Sequence, residues 1–172
     1  MTEPAEELAF LGQALLKPDA GLLTALAADY GLHALGEQLK AVSGSELEME
    51  YNRLFLNPRG TPCPPWESVY GDNPRLLGQP HLSALDWYRR FKVEPAANNE
   101  PADHAGLLIL FYAQLLREGL FEEAERFRVE HLAWLERFCG CLKLHASLDF
   151  YRLVGERTNA LTKATFSDSS QR

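Results

Sequence analysis

No stretch of this chain is apolar for long enough to cross a bilayer. The longest strongly apolar run, Ala105 to Ala113, covers nine residues, against the roughly 20 that a spanning helix needs. Cysteine is scarce. Cys63, Cys139 and Cys141 are an odd set of three, which excludes a disulfide framework and reads as packed free thiols. A metal site would need more Cys or His at ligand spacing. The five histidines, His33, His81, His104, His131 and His145, are scattered instead. A Gly-rich phosphate loop, a His-Glu-x-x-His pair, a Cys-x-x-Cys pair and a Gly-x-Ser-x-Gly elbow are all missing. Positive charge is also in short supply. The 17 Lys and Arg stand against 24 Asp and Glu, a formal net charge of -7, and a chain of that sign repels phosphates, which excludes general nucleic-acid binding. The N-terminus carries Glu3, Glu6 and Glu7, where a secretory signal wants positive charge before an apolar stretch. The expected location is the cytoplasm.

The 172 residues are 46% apolar and 24% charged, as in a single globular domain able to enclose a core. The charge is skewed. Residues 1–57 hold nine of the acids and three of the bases, a pattern of solvated helix faces or of a surface that attracts a basic partner.

Helical periodicity dominates. Leu8, Leu11, Leu15 and Leu16 share a face, and Pro18 ends their helix. Asp19 is placed to cap a second helix with Leu22, Leu23, Leu26 and Tyr30 inward, closed by Gly31. A third runs from Leu32 to Val42. Ser45 to Glu48 reads as a capping box opening a fourth, with Leu47, Tyr51, Leu54 and Phe55 on its apolar face. Further helices are expected from Pro80 to Val93, from Pro101 to Glu118, from Phe121 to about Cys141, and from Asp149 to Phe166. Pro101 suits a first turn, and the helix behind it is apolar nearly all round, which puts it at the centre of a bundle. Strand alternation and internal repeats are lacking. The expectation is an all-α, single-domain helical bundle: an N-terminal part over 1–93, a hinge loop at 94–101, C-terminal helices over 102–166 and a tail at 167–172.

One segment breaks the periodicity. Six of the ten prolines, Pro58, Pro62, Pro64, Pro65, Pro74 and Pro80, fall within residues 58–80, which excludes regular helix and central strand. The same segment carries Trp66, Val69, Tyr70, Leu76 and Leu77, more apolar area than a disordered linker holds. It reads as a packed, rigid loop, a feature that is usually functional.

Four motifs follow in order: Tyr-x-Arg-Leu-Phe at residues 51–55, Pro-x-Pro-Pro-Trp-x-Ser-Val-Tyr at 62–70, Glu-Pro-x-Asp-His-x-Gly at 100–106 and His-Leu-x-Trp-x-x-Arg-Phe at 131–138. In order and spacing they resemble the TorD/DmsD family of redox-enzyme maturation chaperones, nearest its DmsD-like branch. The stretch after the Asp-His pair, Leu107-Leu108-Ile109-Leu110, has no acid, as in that branch. The resemblance implies an all-helical cytoplasmic chaperone, no enzyme, with no cofactor or metal of its own. Its implied partner is the twin-arginine signal peptide of a molybdenum-cofactor oxidoreductase subunit, held back from export until the cofactor is inserted. A homodimer formed by domain swapping is implied as well. By position, signal-peptide binding falls to Pro65, Trp66, Ser68, Tyr70, Asp103 and His104.

Those residue types suit the task. Two arginines followed by an apolar stretch need carboxylate acceptors and a water-excluding surface. Pro64 and Pro65 stiffen the backbone beside Trp66 and Tyr70, so an aromatic wall there costs little entropy to hold. Asp103 can pair with arginine, and His104 can hydrogen-bond a peptide backbone. The same residues also have structural readings: Trp66 as a plug for the core, Asp103 as a first-turn helix acid, His104 as a satisfied core histidine, and Glu67 and Ser68 as caps of a local turn. Tyr51, Arg53, His131, Trp134 and Phe138 lie at helical spacing and read mainly as core or buried hydrogen-bond partners. Two other function classes fit less of the chain: a small helical metal-dependent hydrolase using Asp103 and His104, and a helical scaffold that recognises another protein's helix.

Overall fold

The computed structural model describes residues 3–95 and 99–167. Residues 96–98 of the expected hinge loop, and the expected tail beyond Ser167, lie outside the described residues. Nine α-helices are seen among the described residues: α1 (Pro4–Leu16), α2 (Ala20–Asp29), α3 (His33–Lys40), α4 (Gly44–Tyr51), α5 (Gln79–Arg90), α6 (Ala105–Arg117), α7 (Phe121–His131), α8 (Leu135–His145) and α9 (Asp149–Lys163). The architecture is all-α, with no helix among the described residues long and apolar enough to cross a membrane. The only β-type pairing described is an isolated antiparallel bridge between Trp66 and His104.

Helix α6 is buried on nearly every side, from Ala105 to Leu116. Its closest neighbour is α1, and two glycines set the distance. A Cβ added at Gly106 would meet the Gly12 carbonyl oxygen at 2.7 Å and the Leu16 backbone nitrogen at 3.0 Å; one added at Gly12 would meet the Gly106 carbonyl oxygen at 3.0 Å. The two backbones therefore touch, and Leu8, Phe10, Leu11 and Leu15 of α1 close over α6 without exposed area. The last carbonyls of α1 find donors from other helices: Tyr51 Oη–H donates to Leu16 O at 2.8 Å and Tyr151 Oη–H to Ala14 O at 3.2 Å. Helix ends buried this way need such donors.

Several expected boundaries shift, each for a local reason. The capping box is Ser43 with Glu46, two residues before Ser45 and Glu48: Glu46 N–H donates to Ser43 Oγ at 3.1 Å and Ser43 N–H to Glu46 Oε2 at 2.9 Å. Both serines fit the pattern, and the earlier start gives α4 more helix. Asp19 caps α2 as expected, accepting from Leu22 N–H at 3.0 Å, but Leu22 itself is exposed and the buried residues of α2 are Leu23 and Ala27. The expected helix from Phe121 to Cys141 is two helices. The Trp134 indole donates to the His131 carbonyl at 2.8 Å and a tight turn joins Leu132 to Leu135, so the chain changes direction at a side-chain hydrogen bond that apolar spacing does not reveal. Finally, α6 starts at Ala105, not Pro101. Its N-cap is His104, so Pro101 and Asp103 both precede the helix, and Asp103 is not a first-turn acid.

Gly106→Ala places a methyl against backbone atoms that cannot rotate away. Despite alanine's better helix propensity, it is expected to destabilise the protein by about 1–3 kcal/mol, measured by urea unfolding. An unchanged midpoint would show that α1 and α6 have room to part.

Candidate functional site

The Pro-rich loop is fastened at each turn. Its first anchor is a single π-helical turn, Asn52–Leu56, that continues α4; the Leu54 carbonyl accepts from Cys63 N–H at 3.2 Å. Cys141 Sγ–H donates to Pro62 O at 2.8 Å and Tyr70 Oη–H to Pro64 O at 2.7 Å. Pro64 and Pro65 have no N–H to lose, and their carbonyls are the groups used.

Pro65 and Trp66 then run antiparallel to Asp103 and His104. Ala105 N–H donates to Pro65 O at 2.8 Å and Glu67 N–H to Asp103 O at 3.2 Å. A short 3-10 turn, Glu67–Val69, follows. The Asp103 carboxylate holds it: Oδ2 accepts from Ser68 N–H at 2.8 Å and from Ser68 Oγ–H at 2.5 Å. Asp103 is fully buried, and its Oδ1 has no hydrogen-bond partner. His104 is also buried, and its Nδ1 accepts from Gly106 N–H at 3.0 Å. The neutral ring therefore carries its hydrogen on Nε2, and burial lowers its pKa to about 4.

Five of the six expected site residues thus meet at this bridge. Pro65 and Ser68 are buried within it, while Trp66 is half-buried, its ring edge-on to His104 with centroids 6.2 Å apart. The sixth, Tyr70, faces the other way. Its half-buried ring packs on Trp134 at 4.9 Å, and the Arg137 guanidinium lies over it at 5.3 Å while donating to the Tyr70 carbonyl at 3.0 Å. The two rings thus pack on different partners, Trp66 on His104 and Tyr70 on Trp134.

Two features escape a reading of the chain alone. Glu100, half-buried at the start of its motif, lies with Oε2 3.4 Å from Trp66 Nε1, which sets an accessible carboxylate beside the indole. Behind Trp66 runs a polar chain from Glu67 Oε2 to His131 Nδ1 (2.8 Å), His131 Nε2 to Ser83 Oγ (3.1 Å), and Ser83 Oγ to Glu130 Oε1 (2.6 Å), with Trp87 Nε1–H donating to Glu130 Oε2 at 2.9 Å. Serine, histidine and glutamate stand here in the order of a nucleophile relay. The Ser83 hydrogen, however, points at Glu130, so the oxygen is not activated. Ser83 sits 48 residues from His131 in the chain, and no local spacing signals the contact. Among the described residues no group of three or more His, Cys, Asp and Glu is arranged to hold a metal. Asp103 Oδ2 is used by Ser68 and His104 Nδ1 by Gly106, and no third ligand stands with the pair among the described residues, which leaves the hydrolase reading without a metal-ligand set.

The family model described as nitrate reductase delta subunit matches residues 3–140. The chain belongs to this family, which includes TorD. It is 34% identical over 155 residues to the Tat proofreading chaperone DmsD of Salmonella typhi, spanning 88% of this chain and 76% of that one. It is 26% identical over 129 residues to the chaperone protein TorD of Shewanella pealeana, covering 69% of this chain and 58% of that one. A crystal structure of a redox enzyme maturation protein from Archaeoglobus fulgidus shares the fold, with a TM-score of 0.76 at 24% identity over 94% of this chain and 95% of that one. These TorD-family relatives are chaperones, not catalysts. The bridge gives this chain's Pro65-Trp66, Ser68 and Asp103-His104 a common physical reason, since each occupies a contact between the loop and the segment that opens α6.

The His104 environment sets a pH dependence. Its folded pKa lies below the ordinary value of 6.5, so the unfolded chain takes up a proton that the folded chain refuses. Stability is fully present above about pH 6.5 and is lost as pH falls toward about 4, by roughly 3 kcal/mol at most. His104→Asn keeps a side-chain acceptor at the cap and is expected to flatten that part of the curve, measured by urea unfolding across the window. An equal slope in both proteins would mean the ring takes up its proton in the fold as readily as in the unfolded chain.

Proposed function

We propose that this protein is a cytoplasmic chaperone that binds the twin-arginine leader of a molybdenum-cofactor oxidoreductase subunit and delays its export until the cofactor is in place. The observation that carries this reading is the bridge itself. It fixes an accessible indole, Trp66, next to the Glu100 carboxylate and above the buried Asp103, which keeps one oxygen without a donor. A guanidinium needs such acceptors, and an aromatic face adds cation–π attraction. The name of the Salmonella relative supports a chaperone acting on the twin-arginine route, and that of the Shewanella relative a chaperone.

The six residues and Glu100 then divide the work. Trp66 and Glu100 touch the leader. Pro65, Ser68, Asp103 and His104 hold the bridge, and the free oxygen of Asp103 receives an arginine if the turn gives way on binding. Tyr70 braces the far end of the loop against Trp134. The acids concentrated in residues 1–57 attract the basic leader from a distance.

A synthetic leader with two adjacent arginines is expected to bind, and to bind more weakly as salt rises. Trp66→Ala and Glu100→Gln should each lower the affinity by about tenfold or more, the size of an anchor residue's contribution, measured by fluorescence anisotropy. A leader carrying two lysines should bind less well, because the planar fork is lost. Equal affinity for both variants and both leaders would overturn the reading.

A further inference from the structure

The polar chain behind Trp66 has no part in the contacts above, and it hangs on the residue next to the indole. Its hydrogens can be counted. Three links, Glu67 to His131, His131 to Ser83 and Ser83 to Glu130, need three hydrogens. Ser83 owns one, and the 2.6 Å contact assigns it to Glu130 Oε1. The Ser83 oxygen must then accept from His131 Nε2–H, across 3.1 Å. The 2.8 Å link between Nδ1 and Glu67 Oε2 needs another hydrogen. All three links exist together only when the Glu67–His131 pair holds one proton more than a neutral ring and an ionised carboxylate have between them. Imidazolium with carboxylate, or imidazole with carboxylic acid, satisfies the count equally.

Without that proton one link fails. A neutral ring with Nδ1–H toward Glu67 leaves Nε2 and Glu130 competing for the single Ser83 hydrogen. A neutral ring with Nε2–H toward Ser83 leaves two lone pairs facing each other at Glu67. Either way the connection from the Trp66 turn through His131 to α5 is broken.

The surroundings favour the loaded state. His131 is 1% exposed. It faces Glu67 from the turn, Ser83 from α5 and Glu130 from its own helix at 3.6 Å, with the Phe127 ring against it at 5.1 Å. Asp103 adds negative charge at Glu67, and Arg90 offsets some of it at Glu130. Burial raises the Glu67 carboxyl pKa, and a raised pKa means a proton held more tightly in the fold than outside it.

We propose that this shared proton is a latch: loaded, it ties the turn that carries Trp66 to α5 and α7 together, and its loss as pH rises frees that turn and weakens the grip on the leader. Glu67 and His131 are positioning residues in this scheme, and the binding half of it rests on the leader-binding reading. The arginines of the leader do not titrate in this range, so a pH dependence belongs to the protein.

The test follows the His131 ring by 15N–1H spectra from about pH 5 to about pH 9, with leader affinity and urea unfolding measured at the same points on the wild type and on Ser83→Ala, a half-buried position chosen to spare the fold. The wild-type affinity is expected to fall about tenfold, equal to one pKa unit of coupling, as pH rises through the range in which the Glu67–His131 pair gives up its proton. Ser83→Ala should bind at the wild-type alkaline level at every pH, and the stability it loses relative to wild type should shrink through the same range. A Glu67–His131 pair that loses no proton across this range, seen as ring nitrogen shifts that do not change, or a stability difference that does not change with pH, overturns the latch. A wild type whose stability difference shrinks as expected but that binds no leader at any pH overturns the leader-binding reading and leaves the latch as a device of the fold. A leader bound equally on both sides of that range overturns the coupling between them.

Discussion

One buried carboxylate decides where the Pro-rich loop lies. Asp103 accepts both the backbone and side-chain hydrogens of Ser68, and the backbones on either side of these two residues pair as a two-rung bridge. A buried acid is costly unless its acceptors are used, so any displacement of the loop would strand the carboxylate as well as two backbone groups. Six prolines make the segment stiff, but stiffness alone does not say where a segment sits. Asp103 supplies the address, and the aromatic and acidic groups around Trp66 inherit their positions from it.

Asp103 in turn depends on a contact far from any chemistry. It stands two residues before the start of α6, and α6 is placed by the Gly12–Gly106 approach to α1. The order of dependence is backbone contact, helix start, carboxylate, loop, indole. His104 stands at the joint, since its ring caps the helix through Gly106 N–H and packs edge-to-face with Trp66. A residue that performs both tasks must remain neutral, and the depressed pKa that burial imposes ensures it does above about pH 4.

The bundle was legible from apolar spacing because spacing reports burial, and burial is what the helices share. The all-round apolar character of Leu107 to Leu116 identified the central helix without further help. The starts and ends were less legible where side-chain hydrogen bonds set them. Ser43 and Ser45 present the same capping pattern, and only the chain's path decides between them. Trp134 breaks a helix with a bond from its indole to the His131 carbonyl, which no propensity records. Pro101 looks like a first-turn residue until the bridge claims Asp103 and His104 for the loop. At the site, the motifs marked the correct segments, and the resemblance grouped them. Motif reading did not separate the residue that frames, Asp103, from one that is accessible, Glu100, because both are acids within one short motif and differ only in what lies above them.

That distinction bears on how a site of this kind discriminates. An exposed carboxylate binds any cation weakly, since water competes for both partners. A fully buried carboxylate with one oxygen unpaired binds only what can reach it and repay its desolvation, and a planar guanidinium does this better than a strongly hydrated ammonium. Under the proposed leader-binding reading, Glu100 at the surface and the buried Asp103 would rank arginine over lysine in two stages, attraction first and fit second. Weak rim attraction speeds the encounter without fixing its outcome. Under that reading the buried oxygen would carry the selectivity only if the Ser68 turn is held firmly enough that a poorer ligand cannot pry it open, so the stiffness of the loop would contribute to specificity as directly as the charges it surrounds.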